Sequence, residues 1–414
     1  MAMGEGATAV AVTGVGVVSP IGIGREAFWN ALCAGRSGIR PRSGAAQPPR
    51  QVASALDYAA QDFIGSAHFR RMDALSRRIV SAARIALADA ELDGDAIEPA
   101  RLGIVVGSEL GNIRESVSYL QRLFTKGPAL ASPMMFPNLV FNAPASYAAM
   151  EIGCTGANLT VSQGEVSGEL ALAVGCDLIR SGRADVVLAG GGDELDEVVI
   201  SAYRRARALS SQRGGDEWCS PYDVQRNGVI LGEGAAMLVL EAPEHARGRQ
   251  ARLYAEIEEH VTFGVPAPLY DWPERAPAAI PWLRRLLASA DGCAPAAAVD
   301  LVCGSANSSR RLDACELDVL SQLFGEMAAA VSLTSIKGAI GEFGTAGALA
   351  AAAVCLALQS GRIPPLCHLR RPPEDVLLQF APTVASARPL RRSLMFSLAR
   401  GGAATALLMR RATA

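Results

Sequence analysis

Seven short stretches of the chain are apolar at nearly every position: AVAVTGVGVV (8–17), LGIVVGS (102–108), ADVVLAGG (184–191), AAMLVLE (235–241), VDLVCGS (299–305), SLMFSLA (393–399) and TALLMRR (405–411). A strand with one wet face alternates apolar and polar residues. These do not, so they suit a sheet covered on both faces. Helical segments lie between them: REAFWNALCAG (25–35), ALSRRIVSAARIALADAEL (74–92), EVSGELALAVGCDLIRSG (165–182), LDVLSQLFGEM (317–327) and TAGALAAAAVCLALQSG (345–361). Strands and helices alternate, which predicts α/β layers.

The plan repeats. Each half runs from a strand through a Gly/Ser-rich turn and an Ala-rich buried helix to a pair of terminal strands. The division is expected near residue 250, giving halves 1–250 and 251–414. There the polar stretch EAPEHARGRQARLYAEIEE (241–259) reads as a connection, and the Pro-rich FGVPAPLYDWPERAPAAIP (263–281) reads as a surface loop or cap.

Composition narrows the partners. The chain has 414 residues, 50% hydrophobic and 19% charged, enough apolar surface for a large core. A net charge of −2 argues against a nucleic-acid surface. No uninterrupted apolar run is long enough to span a membrane, and the N-terminus lacks a secretion-signal pattern. Nine cysteines without a CxxC pair read as reduced thiols of a cytoplasmic protein. His68, His245, His260 and His368 share no metal-ligand spacing, so neither a metal nor another cofactor is expected.

The segment VSQGEVSGELALAVGCDLIRSGRADVVLAGGGDEL (161–195) has the layout of a reactive centre, with a small-residue turn feeding a helix and an apolar strand. Around it, VTGVGVVSPIGIGREAFWNALCAGRSGI (12–39), SPYDVQRNGVILGEGAAMLVLE (220–241), DACE (313–316), SIKGAIGEFGTAGA (335–348) and SLARGGAATALLMRR (397–411) fall in the order of the landmarks of one family. Nearly end to end, the chain resembles the β-ketoacyl-acyl carrier protein synthases. That resemblance implies a five-layered αβαβα thiolase fold with two similar halves.

The family's catalytic residues are a cysteine at a helix N-terminus and two histidines. The cysteine's position reads here as Glu165, and the histidines' positions read as Ser305 and Glu342. The family's lysine remains as Lys337, while the glutamate that accompanies it reads as Ala350. The gate before the terminal GG, usually phenylalanine, is Arg400. Cys154 and Cys176 read as packing residues, and no histidine lies near Ser162 or Ser167 to activate them. Glu165 is expected to be structural, tied to backbone donors or to Lys337. Lys337 in turn is expected to pair with Glu342 or Glu165.

Within this family, type II polyketide synthases pair a complete ketosynthase with a silent homologue, the chain-length factor. The resemblance implies that role here: a non-catalytic subunit partnered by a ketosynthase-α subunit and an acyl carrier protein bearing the chain. Aromatic systems usually carry glutamine at the cysteine position, so glutamate leaves a reduced or polyene product open. The expected tunnel wall comprises Ile113, Ser116, Val117 and Leu120 on one helical face, with Met134, Met135 and Phe136 in the following loop. Two other readings compete. One is a carboxylate–lysine enzyme built on Glu165, Glu342 and Lys337, such as a malonyl decarboxylase. The other is a protein that sequesters acyl groups.

Overall fold

The computed structural model describes residues 8–42, 51–65, 68–92, 97–212, 214–288, 299–382 and 385–412. Ten strands form two units of five. The first holds β1 (Val10–Val18), β2 (Leu102–Gly107), β3 (Asn158–Val161), β4 (Val186–Asp193) and β5 (Gly234–Glu241). The second holds β6 (Ala255–Gly264), β7 (Leu301–Gly304), β8 (Ser332–Thr334), β9 (Arg392–Leu398) and β10 (Ala403–Arg410).

Both units are wired alike. In each, the first strand pairs antiparallel with the fifth, the fifth antiparallel with the fourth, and the fourth, second and third run parallel. The first strands β1 and β6 also pair antiparallel, through Val10–Ile257, Ala11–Glu256 and Val12–Ala255, so the two units join into one continuous sheet. A short edge segment, Gln379–Phe380, extends the second unit beyond β8. Strand β3 forms the opposite edge.

Strand β6 corrects the sequence reading, which took much of it for a polar connection. Its charged side chains are partnered rather than solvated: Glu258 takes Arg392, Glu259 takes Arg180, and His260 lies 3.0 Å from Asp177. Ion pairing along the strand disguised it, because hydropathy alone counts those residues as wet.

Eight helices bear on the site: α1 (Ala74–Asp89), α2 (Ile113–Lys126), α3 (Ala143–Ile152), α4 (Ser167–Arg180), α5 (Glu197–Arg205), α6 (Ala279–Ala288), α7 (Arg310–Phe324) and α8 (Ala346–Ser360). Helices α4 and α8 pack on each other and touch strands of both units, forming the middle layer. A helix there meets protein on every side, which explains the AGALAAAAVCLAL run: small side chains allow close approach, and Ala346–Leu358 are all buried. Helices α1 and α3 cover the first unit, and α6, with α7 packed on it, covers the second. The layers therefore run αβαβα, as the resemblance implied.

Candidate functional site

The turn before α4 is built from its own residues. Gly164 adopts φ +59°, a conformation that favours glycine. Ser167 Oγ donates to Gly164 O at 2.7 Å and accepts from Gln163 N at 2.9 Å, which braces the turn. Ser167 is thus a structural hydroxyl. The helix begins at Ser167, so Glu165 stands two residues ahead of it and is 4% exposed.

A backbone donor holds Glu165, as expected, but Lys337 does not. The carboxylate instead meets Arg400: Oε2 accepts the Arg400 backbone N–H at 3.1 Å and Oε1 accepts from Nε. Arg400 Nη2 continues to Glu109 Oε1 at 3.1 Å and to the Tyr203 hydroxyl at 2.5 Å. The guanidinium also stacks over Tyr203 and Trp272, at 4.5 and 5.3 Å from the ring centroids. The reason is donor geometry. Arginine presents several N–H groups in a rigid plane and can serve two carboxylates and a phenol at once. Lysine already has another partner.

That partner is Glu342. Lys337 Nζ lies 2.9 Å from Oε2 and 3.2 Å from Oε1, with both residues buried. Burial works against the ammonium, but Glu342 more than offsets it and holds Lys337 above the ordinary lysine value. Ala350 offers no carboxylate, and Glu342 supplies the lysine's counter-charge. Ser305 is equally committed. It donates to Glu316 Oε1 from its backbone N–H at 2.7 Å and from its hydroxyl at 3.0 Å, and the hydroxyl accepts from Leu398 N at 3.3 Å.

Further acids crowd the centre. Glu169, four residues into the same segment, is buried and accepts from Ser397 Oγ at 2.5 Å. Glu109 is pushed well above the usual carboxylate range by burial and by Glu165, with Arg400 pulling the other way. Burial raises Asp193 to about 6 and Glu194 to about 7. Asp193 spends Oδ1 on Ser108 Oγ, Glu109 N and Leu110 N, and leaves Oδ2 without a partner. Gly344 lies against this pair of acids. A Cβ there would sit 2.7 Å from Glu109 Oε2 and 2.9 Å from Asp193 Oδ2. Only glycine lets the backbone pass.

Glu109, Tyr203 and Trp272 escaped the sequence reading. A signal existed for Glu109, a lone carboxylate at the C-terminal end of an apolar parallel strand, where α/β sites gather. Tyr203 and Trp272 carried none.

Among the thiols, Cys219 reaches this centre, its Sγ donating to Lys337 O at 3.6 Å. Cys154 donates to Leu102 O and Cys176 is fully buried, its thiol pushed up to about 12 by burial. Cys293 lies outside the described residues. His245 and His260 pair with Glu241 and Asp177, and His368 contacts Cys219 O. Among the described residues no group of His, Cys, Asp and Glu could hold a metal, and no helix is long and apolar enough to cross a membrane.

The expected tunnel residues lie elsewhere. Helix α2 forms as predicted but buries none of its residues. Ile113, Ser116 and Val117 are half-buried and Leu120 is 45% exposed. In the loop beyond, Met135 is half-buried while Met134 and Phe136 are 67% and 60% exposed. Phe124, Leu130, Val140, Phe141 and Leu159 are exposed too. All belong to the chain between β2 and β4, which includes the free edge strand β3.

Comparison with known proteins places this geometry. The β-ketoacyl synthase N-terminal domain matches residues 7–246 and its C-terminal domain matches residues 272–370. The chain belongs to the β-ketoacyl synthase family. It is 31% identical to the 3-oxoacyl-[acyl-carrier-protein] synthase 2 of Rhizobium meliloti, over 98% of this chain and 99% of that one. It is also 31% identical to the tetracenomycin polyketide synthase ketoacyl synthase alpha subunit of Streptomyces glaucescens, over 97% of each. Among solved structures, the ishigamide ketosynthase/chain length factor superposes with a TM-score of 0.90 at 27% identity, covering 98% of this chain and 99% of that one. In this member of the family, Glu165, Ser305 and Glu342 are bound into the protein's own ion pairs and hydrogen bonds.

Proposed function

We propose that this chain is a catalytically silent chain-length factor of a type II polyketide synthase, and that it works as a heterodimer with a complete ketosynthase. One observation carries the reading: the cysteine position holds a carboxylate already neutralised by Arg400. Condensation needs a nucleophile and two donors aimed at a developing enolate. Here Glu165, Ser305 and Glu342 spend their polar atoms on Arg400, Glu316 and Lys337. The same pairing weakens the malonyl-decarboxylase reading, since the carboxylates and the lysine it requires neutralise one another.

The exposed apolar surface between β2 and β4 supports the second half of the proposal. A free edge strand beside such a surface is a place for a partner. We assign it to the ketosynthase-α subunit, whose apposition would bury Leu120, Met134, Met135 and Phe136 against the tunnel of the growing chain. The substrate class is a polyketide or polyene chain held on an acyl carrier protein in the cytoplasm. We take the two halves to divide near residue 250.

The test is co-expression with a complete ketosynthase and its carrier protein, followed by co-purification and mass analysis of product length. A complex whose product length follows substitutions in this chain supports the proposal. An isolated chain that condenses or decarboxylates malonyl thioesters would overturn it.

A further inference from the structure

A cleft of about 180 Å³ opens at the surface between Arg207, Asn227, Tyr270, Ser309 and Arg310, and Arg400 is among its walls. Glu165 is not, and its carboxylate bonds to the Arg400 side chain. Arg400 is therefore the residue that links a wall of the cleft to Glu165.

We propose that Arg400 is a lock that bars a pantetheine thioester arm from the interior of this subunit; the choice of excluded ligand rests on the carrier-protein reading above. Three sets of contacts hold the lock shut. The guanidinium bonds to Glu165, Glu109 and Tyr203. It is stacked on Tyr203 and Trp272. The backbone behind it is tied to the lip of the cleft, since Gly401 N donates to Pro268 O at 3.1 Å and to Asp271 O at 3.3 Å.

A charged lock differs in kind from an apolar one. An apolar side chain that swings aside gives up packing alone. When Arg400 swings aside, it leaves Glu165 and Glu109 in a buried site with no cation between them. Each carboxylate disfavours the other, so the closed state is held by both. The consequence is directional: one mouth of the heterodimer accepts the arm, and the mouth in this chain does not.

The experiment uses accessibility rather than turnover. A thiol is placed behind the lock with Glu165→Cys, in the full chain either alone or co-purified with its partner. Two electrophiles are compared, iodoacetamide and a chloroacetamide of pantetheine. Each forms a thioether with loss of halide and of the thiol proton, and peptide mass analysis locates the label. Relative to iodoacetamide, the pantetheine probe should label Glu165→Cys at least about tenfold more slowly than Glu165→Cys/Arg400→Gly, the span of one well-made interaction. If the glycine variant does not fold, Arg400→Lys serves in its place, because it keeps the charge and gives up the planar fork, and it should label faster than the arginine parent. Equal relative rates with and without Arg400 would overturn the lock. Product length is measured separately, so a failed chain-length assay with intact exclusion would sink the chain-length reading and leave the lock standing.

Discussion

At the scale of single residues, the centre is a matter of charge counting. Arg400 serves Glu165 and Glu109, and Lys337 serves Glu342. Removing the arginine strands two carboxylates, whereas removing Glu165 leaves the arginine with Glu109 and Tyr203. Arg400→Ala should therefore cost about 2–4 kcal/mol, somewhat under the full value for a buried pair because the arginine is partly exposed. Glu165→Ala should cost less. In a denaturant series, the double variant should lose less than the sum of the two. The raised acids give a second expectation. Asp193 at about 6 and Glu194 at about 7 hold protons in the folded chain that the unfolded chain has released. Their stabilisation is complete below the unfolded values near 4 and is lost as pH rises through the folded ones, on the order of 1 kcal/mol per pH unit per group. Asp177, Asp185 and Glu241 are shifted down and act the other way, losing their contribution in acid. Thermal melting should thus peak at about pH 4 and decline toward neutrality. Asp193→Asn, which keeps the Oδ1 acceptor, should flatten part of that decline. Glu165, Ser305, Glu342 and Arg400 were singled out in the sequence by the fixed intervals that separate them from apolar landmarks. Their pairing was legible only in part: Lys337 was expected to take Glu342 or Glu165 and takes Glu342, while nothing in the sequence pointed Glu165 to Arg400.

At the scale of elements, most buried strands were plain to read because they have no wet face, although the three-residue β8 was too short to show a pattern, and the middle-layer helices were plain because they are built of small residues. Strand β3 was missed for the opposite reason: with only four residues and half-exposed, NLTV carries too little pattern. Helix α2 is where the proposed function becomes measurable. It presents Ser116 and Leu120 on an unburied face, so substitutions there should change the volume available at the interface rather than the core. Ser116→Phe or Leu120→Phe should shorten the products of the reconstituted complex, and Leu120→Ala or Met135→Ala should lengthen them. Overfilling a packed site costs about 1–3 kcal/mol, which disfavours one further extension about five- to 150-fold. Mass spectrometry of the products reads the shift. An unchanged distribution from an intact complex would send the search for the tunnel end to the partner.

For the molecule as a whole, the two units share one wiring pattern and meet through β1 and β6. The outer edge of that sheet, at β3, is free, and Leu159 on it is 39% exposed. Leu159→Lys should abolish co-purification with the ketosynthase while shifting the melting temperature of the chain by no more than a surface substitution does, within about 0.5 kcal/mol. A large loss of stability would mean that the edge is packed from within. The committed state of the site also bears on how such a chain changes over generations. If, as proposed, Glu165, Ser305 and Glu342 stand where the family keeps its cysteine and histidines, each has become a support of the fold: Glu165 for Arg400, Glu342 for Lys337, Ser305 for Glu316. A step back toward cysteine or histidine at any of them removes that support before it contributes any chemistry, because the other two groups are still missing. Intermediates on the return path are both idle and less stable, and selection discards them. The ion pairs act as a ratchet, and a subunit that has passed through it is free to vary its apolar surface but not to recover its old trade.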